Sequence, residues 1–397
     1  MIITSLETLR PAFQPNVCVV QLHTDLGLVG LGESFFHAPA VESYMHTAVA
    51  PLLVGMVDPT PEAVALLLAP YVGFQGGGVE TRANGAIDIA LWDLLGKRAN
   101  LRVVDLLGGA VRKSVRIYNT CAGTGYVGGS SRQESANWGA EREGRYEDLR
   151  AFLTDPAALA RELRDEGITG MKIWPFDTAA EKTRGAEISP ADLDAGIHIV
   201  EEIRNAVGMD IDVMIELHGL WNMASAAKII DALAPHRPYW VEDPVRADAV
   251  SALSDLRRGT NIPIAVGETC VGRRGFLPLL TSAAVDIVTV DVQWTGGLTE
   301  ARKIASLADA FGVPVAPHDC TGPITLAACT HLTLSQPNGL LQETVRAFLR
   351  SWYPEVVEGM PVIENGQISL SDEPGLGVRL VDGFAERSDV DRRVTEA

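Results

Sequence analysis

Three glutamates, Glu216, Glu242 and Glu268, each close an apolar run, and they stand 26 residues apart. The runs read Asp212-Val-Met-Ile-Glu216, Tyr239-Trp-Val-Glu242 and Ile264-Ala-Val-Gly-Glu268. The same beat continues through Ile287-Val-Thr-Val-Asp291, Val313-Pro-Val-Ala-Pro-His318 and Leu340-Leu-Gln-Glu343. A strand, a helix and two short loops occupy this length, so the period is that of a βα unit. Eight parallel strands built this way close into a barrel whose strands present their C-terminal ends at one face. The spacing therefore predicts that Glu216, Glu242, Glu268, Asp291, His318 and Glu343 meet in one pocket. Val115-Arg-Ile-Tyr118 and Thr169-Gly-Met-Lys-Ile-Trp174 read as the first two strands of the same barrel.

Residues 1–112 lack this beat. Val17 to His23 and Val29 to Glu33, with a turn at Gly27 between them, suggest antiparallel strands. Thr81 to Arg98 follows as a helix, with Ile87, Leu91, Leu94 and Leu95 expected on one apolar face. Strands followed by helices make this an α+β unit, ended by the glycine turn of Asp105-Leu-Leu-Gly-Gly109. The expected organisation is thus an α+β capping domain (1–112), a barrel (113–350), and a segment (351–397) that returns to the cap. The Gly- and Ser-rich stretch from Gly123 to Arg145 reads as a long lid after the first barrel strand.

A formal charge of −18 without any Lys or Arg block argues against nucleic acid or an anionic membrane as partner. No apolar run reaches the ~20 residues needed to span a bilayer. The start of the chain shows no basic region ahead of an apolar core, so no secretory signal is visible. Cys18, Cys121, Cys270, Cys320 and Cys329 are odd in number and unpaired in spacing, which suits reduced thiols in a cytoplasm.

A lone glutamate at a strand end is usually a solvated surface group, but three at equal spacing suggest a metal site. Carboxylate oxygens without cysteine or a histidine trio suit Mg²⁺ better than Zn²⁺. Such a cation would stabilise the charge that builds up when a proton α to a carboxylate leaves. His318 and Asp291 end neighbouring strands; an Asp that accepts from one imidazole nitrogen makes the other a candidate base. The competing reading is a core histidine bonded to backbone. His218, two residues past Glu216, should point to the same side if strand alternation persists. It is either a second acid or base, or a residue that orients a ligand or begins a loop. Lys172 and Trp174 share one face of the second strand, where Lys172 could hold a substrate carboxylate. Glu343, if protonated, could donate to an enolate oxygen; otherwise it is a structural ion pair, with Arg346 as the nearby partner.

The chain resembles the enolase superfamily in its mandelate racemase branch. The resemblance rests on Ala86-Ile-Asp-Ile-Ala-Leu-Trp-Asp-Leu-Leu-Gly-Lys97, Val241-Glu-Asp-Pro244, Gly267-Glu268 and the pair Asp291 and His318. It implies a capping domain made from both chain ends on a (β/α)7β barrel, and a symmetric homo-oligomer. It also implies Mg²⁺ held by Glu216, Glu242 and Glu268, proton abstraction by the His318–Asp291 dyad, and an electrophilic role for Glu343. Two positions depart from the branch. Glu216 stands where Asp is usual, and Lys172-Ile-Trp174 replaces a Lys-x-Lys whose last lysine is a base. Glu216-Leu-His218 is similar to the Asp-x-His of the branch's sugar-acid dehydratases, where the histidine is the acid for a departing 3-hydroxyl.

The reading that follows is a Mg²⁺-dependent dehydratase of a sugar acid such as an aldonate, giving a 2-keto-3-deoxy acid. Its roles are His318 as base with Asp291, His218 as acid, Lys172 and Trp174 as substrate contacts, and Glu343 at the enolate. A cycloisomerase acting on a lactone through the same enolate is the alternative within catalysis. A silent binding homologue is the alternative outside it. Specificity is expected in the lid and in the loop from Phe13 to Asn16.

Overall fold

A computed structural model describes residues 1–69 and 76–396. The apolar runs with a 26-residue beat form a closed parallel barrel. Its first five strands are Val115–Thr120, Gly170–Ile173, Asp212–Glu216, Trp240–Glu242 and Ile264–Val266, followed by Ile287–Val288. The seventh runs through 315–318, held by parallel bridges from Val288 to Val315 and from Asp291 to His318. The eighth, Gln342–Thr344, pairs in parallel with the first and places Glu343 opposite Tyr118, which closes the ring. A helix follows each of the first seven strands and packs outside, so the fold is a (β/α)7β barrel with an α+β cap.

Alternation along these strands decides what fills the barrel. Tyr118, Met214, Trp240, Ala265, Ile287, Ala316 and Leu341, drawn from seven strands, form a separate buried cluster inside it. One step of two residues further on, the same inward face carries Glu216 after Met214 and Glu242 after Trp240. The polar site thus stands on an apolar plug of side chains rather than over a channel.

The cap is a four-stranded antiparallel sheet in the order Val390–Glu396, Ile3–Pro11, Val17–Thr24, Val29–Phe35. Its outer strand comes from the far end of the chain, with Glu7 facing Val394. The helix Val79–Ala99 covers the sheet, and here the expectation of a single apolar face fails. Buried residues run all round it, from Ala83 through Leu94, while Leu95 is only half-buried. The helix lies between two apolar surfaces, the sheet and the barrel. It approaches the sheet so closely that a Cβ on Gly32 would sit 1.9 Å from the carbonyl oxygen of Ala86. On its other side Trp92 Nε1 donates to Thr299 Oγ1 of the barrel at 2.8 Å.

Two carboxylates of the cap end on barrel helices. Asp88 Oδ2 accepts from the backbone N–H of Thr299, at the start of Leu298–Ala310, at 2.8 Å. Glu33 accepts from the N–H groups of Ile324 (3.3 Å) and Thr325 (3.4 Å) at the start of Pro323–Ser335. These helices have glycine at the N-cap and no capping side chain of their own, so the cap domain supplies the missing acceptors. They follow the strands that carry Asp291 and His318.

Burial pushes both carboxyl groups up to about 7, against the partial relief given by their hydrogen bonds. An acid with a raised folded-state pKa keeps its proton where the unfolded chain has released it. Its contribution to stability is therefore full below pH ~4 and is lost as pH rises through about 7. The thermal midpoint, measured from pH 5 to 8 in wild type and in Glu33→Gln, should fall with pH less steeply in the variant. Equal slopes would show that Glu33 does not hold a proton in the folded state.

All five cysteines are free. Among the described residues, no helix is long and apolar enough to cross a membrane.

Candidate active site

Glu216 and Glu242 end their strands and lie opposite each other in the ladder, while Glu268 follows in the turn after Val266. That turn is made by Gly267, whose φ of +154° suits glycine and whose Cβ would press on the Phe276 ring at 2.8 Å. One carboxylate oxygen from each of the three glutamates lies within 4.8 Å of the others. All three side chains are buried. Trp240 Nε1 donates to Glu242 Oε2 at 2.9 Å, so the barrel plug itself orients this carboxylate.

Whether such a cluster suits a cation can be judged from its unmet demands. Glu216 Oε2 and Glu242 Oε1 are buried and accept no hydrogen bond. Burial, together with repulsion from Glu216, Glu343 and Glu268, pushes Glu242 up to about 8 despite the pull of Lys172. Glu268 is likewise raised, by burial first. Buried carboxylates this close are stable as a set only with protons or a cation among them. An all-oxygen donor set of this kind fits a hard divalent ion.

Lys172 projects from the second strand into the same space, with Nζ 3.0 Å from Glu343, 3.3 Å from Glu242 and 3.5 Å from Glu216. Burial alone would lower its pKa, but Glu242 and Glu343 outweigh that and hold the ammonium charged. Glu343 is an ion-pair member, but with a different partner from the Arg346 expected from sequence. It accepts from Thr120 Oγ1 and, at 2.7 Å, from the N–H of Asp319, and Lys172 is its ion-pair partner. Burial raises its pKa, yet Lys172 and His318 outweigh that and hold it down to about 2. Arg346 lies elsewhere, bound to Asp148 at 2.6 Å and to Glu162 and Glu166 at 3.0 Å.

His318 Nδ1 meets Asp291 Oδ2 at 2.8 Å, and its Nε2 lies 3.3 Å from Glu268. Asp291 also accepts from the N–H of Trp294 at 2.8 Å, which fixes the carboxylate. Burial disfavours the imidazolium, but Glu268 and Glu343 reverse this, and the His318 pKa stands well above its usual value. His218 reaches the pocket by a route that strand alternation did not foresee. The strand stops at Glu216, and His218 adopts a left-handed φ of +50°. Such a backbone costs a non-glycine residue roughly 1 kcal/mol. Its N–H donates to Glu216 Oε1 at 2.7 Å and its Nδ1 meets Asp177 Oδ2 at 2.6 Å.

The first, second, third, fifth, seventh and eighth strands thus contribute Thr120, Lys172, His218, Glu268, His318 and Glu343 to one pocket. Trp174 lines it as well, packed edge-on against His218 and against Trp138 of the lid, and tilted against the lid's Tyr126. The lid's Gln133 completes the wall. Asn16 fastens the lid to the cap, donating to the carbonyls of Val127 (2.6 Å) and Ser130 (2.9 Å).

A model of the N-terminal domain of mandelate racemase and muconate lactonizing enzymes matches residues 4–108, and an enolase C-terminal domain-like model matches residues 155–383. The chain belongs to the enolase superfamily, in its mandelate racemase-like branch. It is 32% identical to a D-galactonate dehydratase of Verminephrobacter eiseniae, over 98% of this chain and 94% of that protein. A D-galactonate dehydratase of Xanthomonas oryzae is 31% identical over the same shares. Among solved structures, a mandelate racemase-subgroup enolase from Agrobacterium tumefaciens superposes with a TM-score of 0.88 at 42% identity. That match spans 100% of this chain and 99% of the other.

Asp177 was not foreseen from sequence. Its signal is an acid directly after Trp174-Pro-Phe, the link from the second strand, at the first turn of the helix Asp177–Thr183. Asp243, buried beside Glu242 with φ +39° and an unpartnered Oδ1, entered only as part of the Val241-Glu-Asp-Pro244 motif.

Proposed function

We propose that this chain dehydrates a sugar acid to a 2-keto-3-deoxy acid, with Mg²⁺ held by Glu216, Glu242 and Glu268. The observation that carries the reading is a pair of histidines facing one pocket from the third and seventh of eight strands. In a closed eight-stranded barrel those strands lie on opposite sides, so acid and base approach different parts of one bound substrate. The D-galactonate dehydratases among the relatives support an aldonate as substrate.

When bound, the divalent cation supplies Lewis-acid stabilisation of the negative charge that develops on the substrate carboxylate. Lys172 adds a fixed positive charge, held in place by Glu343 and Glu242. His318 takes the C2 proton on Nε2, with Asp291 fixing the ring through Nδ1. Glu216, Glu242 and Glu268 would hold the cation, and the positive charge it supplied would weaken the hold of Glu268 on the His318 proton, leaving Nε2 as the base. His218 gives a proton to the 3-hydroxyl as its C–O bond breaks, and water leaves. The C2–C3 double bond remains as an enol, which ketonises by protonation at C3. Trp174 lacks a basic group and serves as an apolar wall beside His218.

A panel of aldonates, aldarates and their lactones, incubated with protein and Mg²⁺, should yield a keto acid from at least one open-chain acid. Conversion of lactones alone, with no water lost, would replace this reading by a cycloisomerase.

A further inference from the structure

The pocket holds two histidine–carboxylate pairs of the same design, and only one of them is accounted for. His318 with Asp291 is the first. The second is His218 with Asp177, at a shorter separation of 2.6 Å against 2.8 Å. Asp177 stands on the short helix after the second strand and is buried, only 4% exposed. Its other oxygen, Oδ1, accepts no hydrogen bond, so the histidine is the side chain that accounts for a carboxylate being buried here.

His218 needs such a partner. It sits just past the end of a strand, on a left-handed residue, and strand geometry does not fix its ring. Three contacts do so instead. Its N–H is tied to Glu216 Oε1, Trp174 packs on the ring with centroids 5.9 Å apart, and Asp177 holds Nδ1. With Nδ1 engaged as a donor, Nε2 is the ring nitrogen left for the pocket, as it is in His318.

From this geometry we infer that Asp177 is the positioning residue of the leaving-group acid, aiming His218 Nε2 at the substrate's 3-hydroxyl. The inference rests on the dehydratase reading above. Asp177 does not line the pocket and acts through His218. The two proton transfers then depend on separate carboxylates, Asp291 for removal at C2 and Asp177 for donation at C3. Damage to one pair leaves the other step intact.

The test uses full-length, Mg²⁺-loaded Asp177→Ala and Asp177→Asn with a substrate that wild type dehydrates. Dehydration by Asp177→Ala should fall about 10–100-fold, the range typical for loss of a carboxylate that orients a functional histidine. KM and the exchange of the C2 proton with solvent deuterium should stay within about twofold of wild type. Asp177→Asn, whose amide oxygen can still accept from Nδ1, should retain more dehydration than Asp177→Ala. A second readout needs no turnover. A ring N–H proton bound to a buried carboxylate gives a downfield, exchange-protected NMR signal, and Asp177→Ala should lose the same signal that His218→Asn loses. Dehydration at the parent rate, or an equal fall in dehydration and exchange, would overturn the proposal. If wild type dehydrates no sugar acid, the dehydratase reading fails, and the N–H signal alone then decides whether Asp177 positions His218.

Discussion

Chelation should abolish turnover, Mg²⁺ should restore it, and Glu242→Gln should not be rescued by Mg²⁺. Glu242 is the most constrained of the three clustered glutamates. Trp240 holds one oxygen, Lys172 lies beside it, and Oε1 is buried without a partner. An amide at this position keeps the shape and loses the charge, so the cation loses one of three anionic ligands. Loss of even an outer-shell partner of a metal ligand costs about 10–100-fold in affinity, and loss of a ligand should cost more. The thermal response separates this effect from misfolding. A ligand at a hundred times its Kd stabilises the folded state by about 2.7 kcal/mol, so Mg²⁺ should raise the wild-type midpoint by several degrees. In Glu242→Gln that rise should vanish. The cation-free midpoints of the two proteins are the baselines from which each Mg²⁺-induced rise is read. Full activity in excess chelator would remove the metal from the account.

The second large effect is expected at His318. In His318→Asn the amide can still donate to Asp291, and Asp291 keeps its bond from the Trp294 N–H, so the wall of the pocket should stand. What disappears is the one group at this position that can accept a proton. A general base contributes typically ~10²–10⁴-fold, and here both product formation and C2 exchange depend on it. Dehydration should therefore fall by at least the lower figure, with Mg²⁺ binding unchanged as judged by the thermal shift. His218→Asn should differ in kind, slowing dehydration while C2 exchange persists.

The barrel and the clustering of acidic and histidine side chains at its mouth are legible because both obey a spacing. A βα unit fixes where each strand ends, so Glu216, Glu242, Glu268, Asp291, His318 and Glu343 could be assigned to one face before any coordinates. The ladder itself is shorter than the apolar runs imply. Pairing stops at Val266 and Val288, and Glu268 and Asp291 lie beyond it in turns and an isolated bridge. What the sequence hid depends on conformations without a period. His218 points into the site through a left-handed turn. Its partner Asp177 comes from another βα unit, and no pattern links residues 177 and 218. The helix Val79–Ala99 misled because a face buried against a sheet and a face buried against a barrel look alike in sequence. The ion-pair partner of Glu343 was equally hidden, since Lys172 meets it only across the closed barrel.

The central claim is that His318 removes the proton at C2 of a sugar acid. Its most direct test is ¹H NMR of the reaction in D₂O, with wild type and His318→Asn side by side. Wild type should give a 2-keto-3-deoxy acid carrying solvent deuterium at C3, with the original C2 hydrogen gone. His318→Asn should give neither product nor exchange at C2. A product that retains the substrate's C2 hydrogen at C3, or C2 exchange at the parent rate in His318→Asn, would contradict the account.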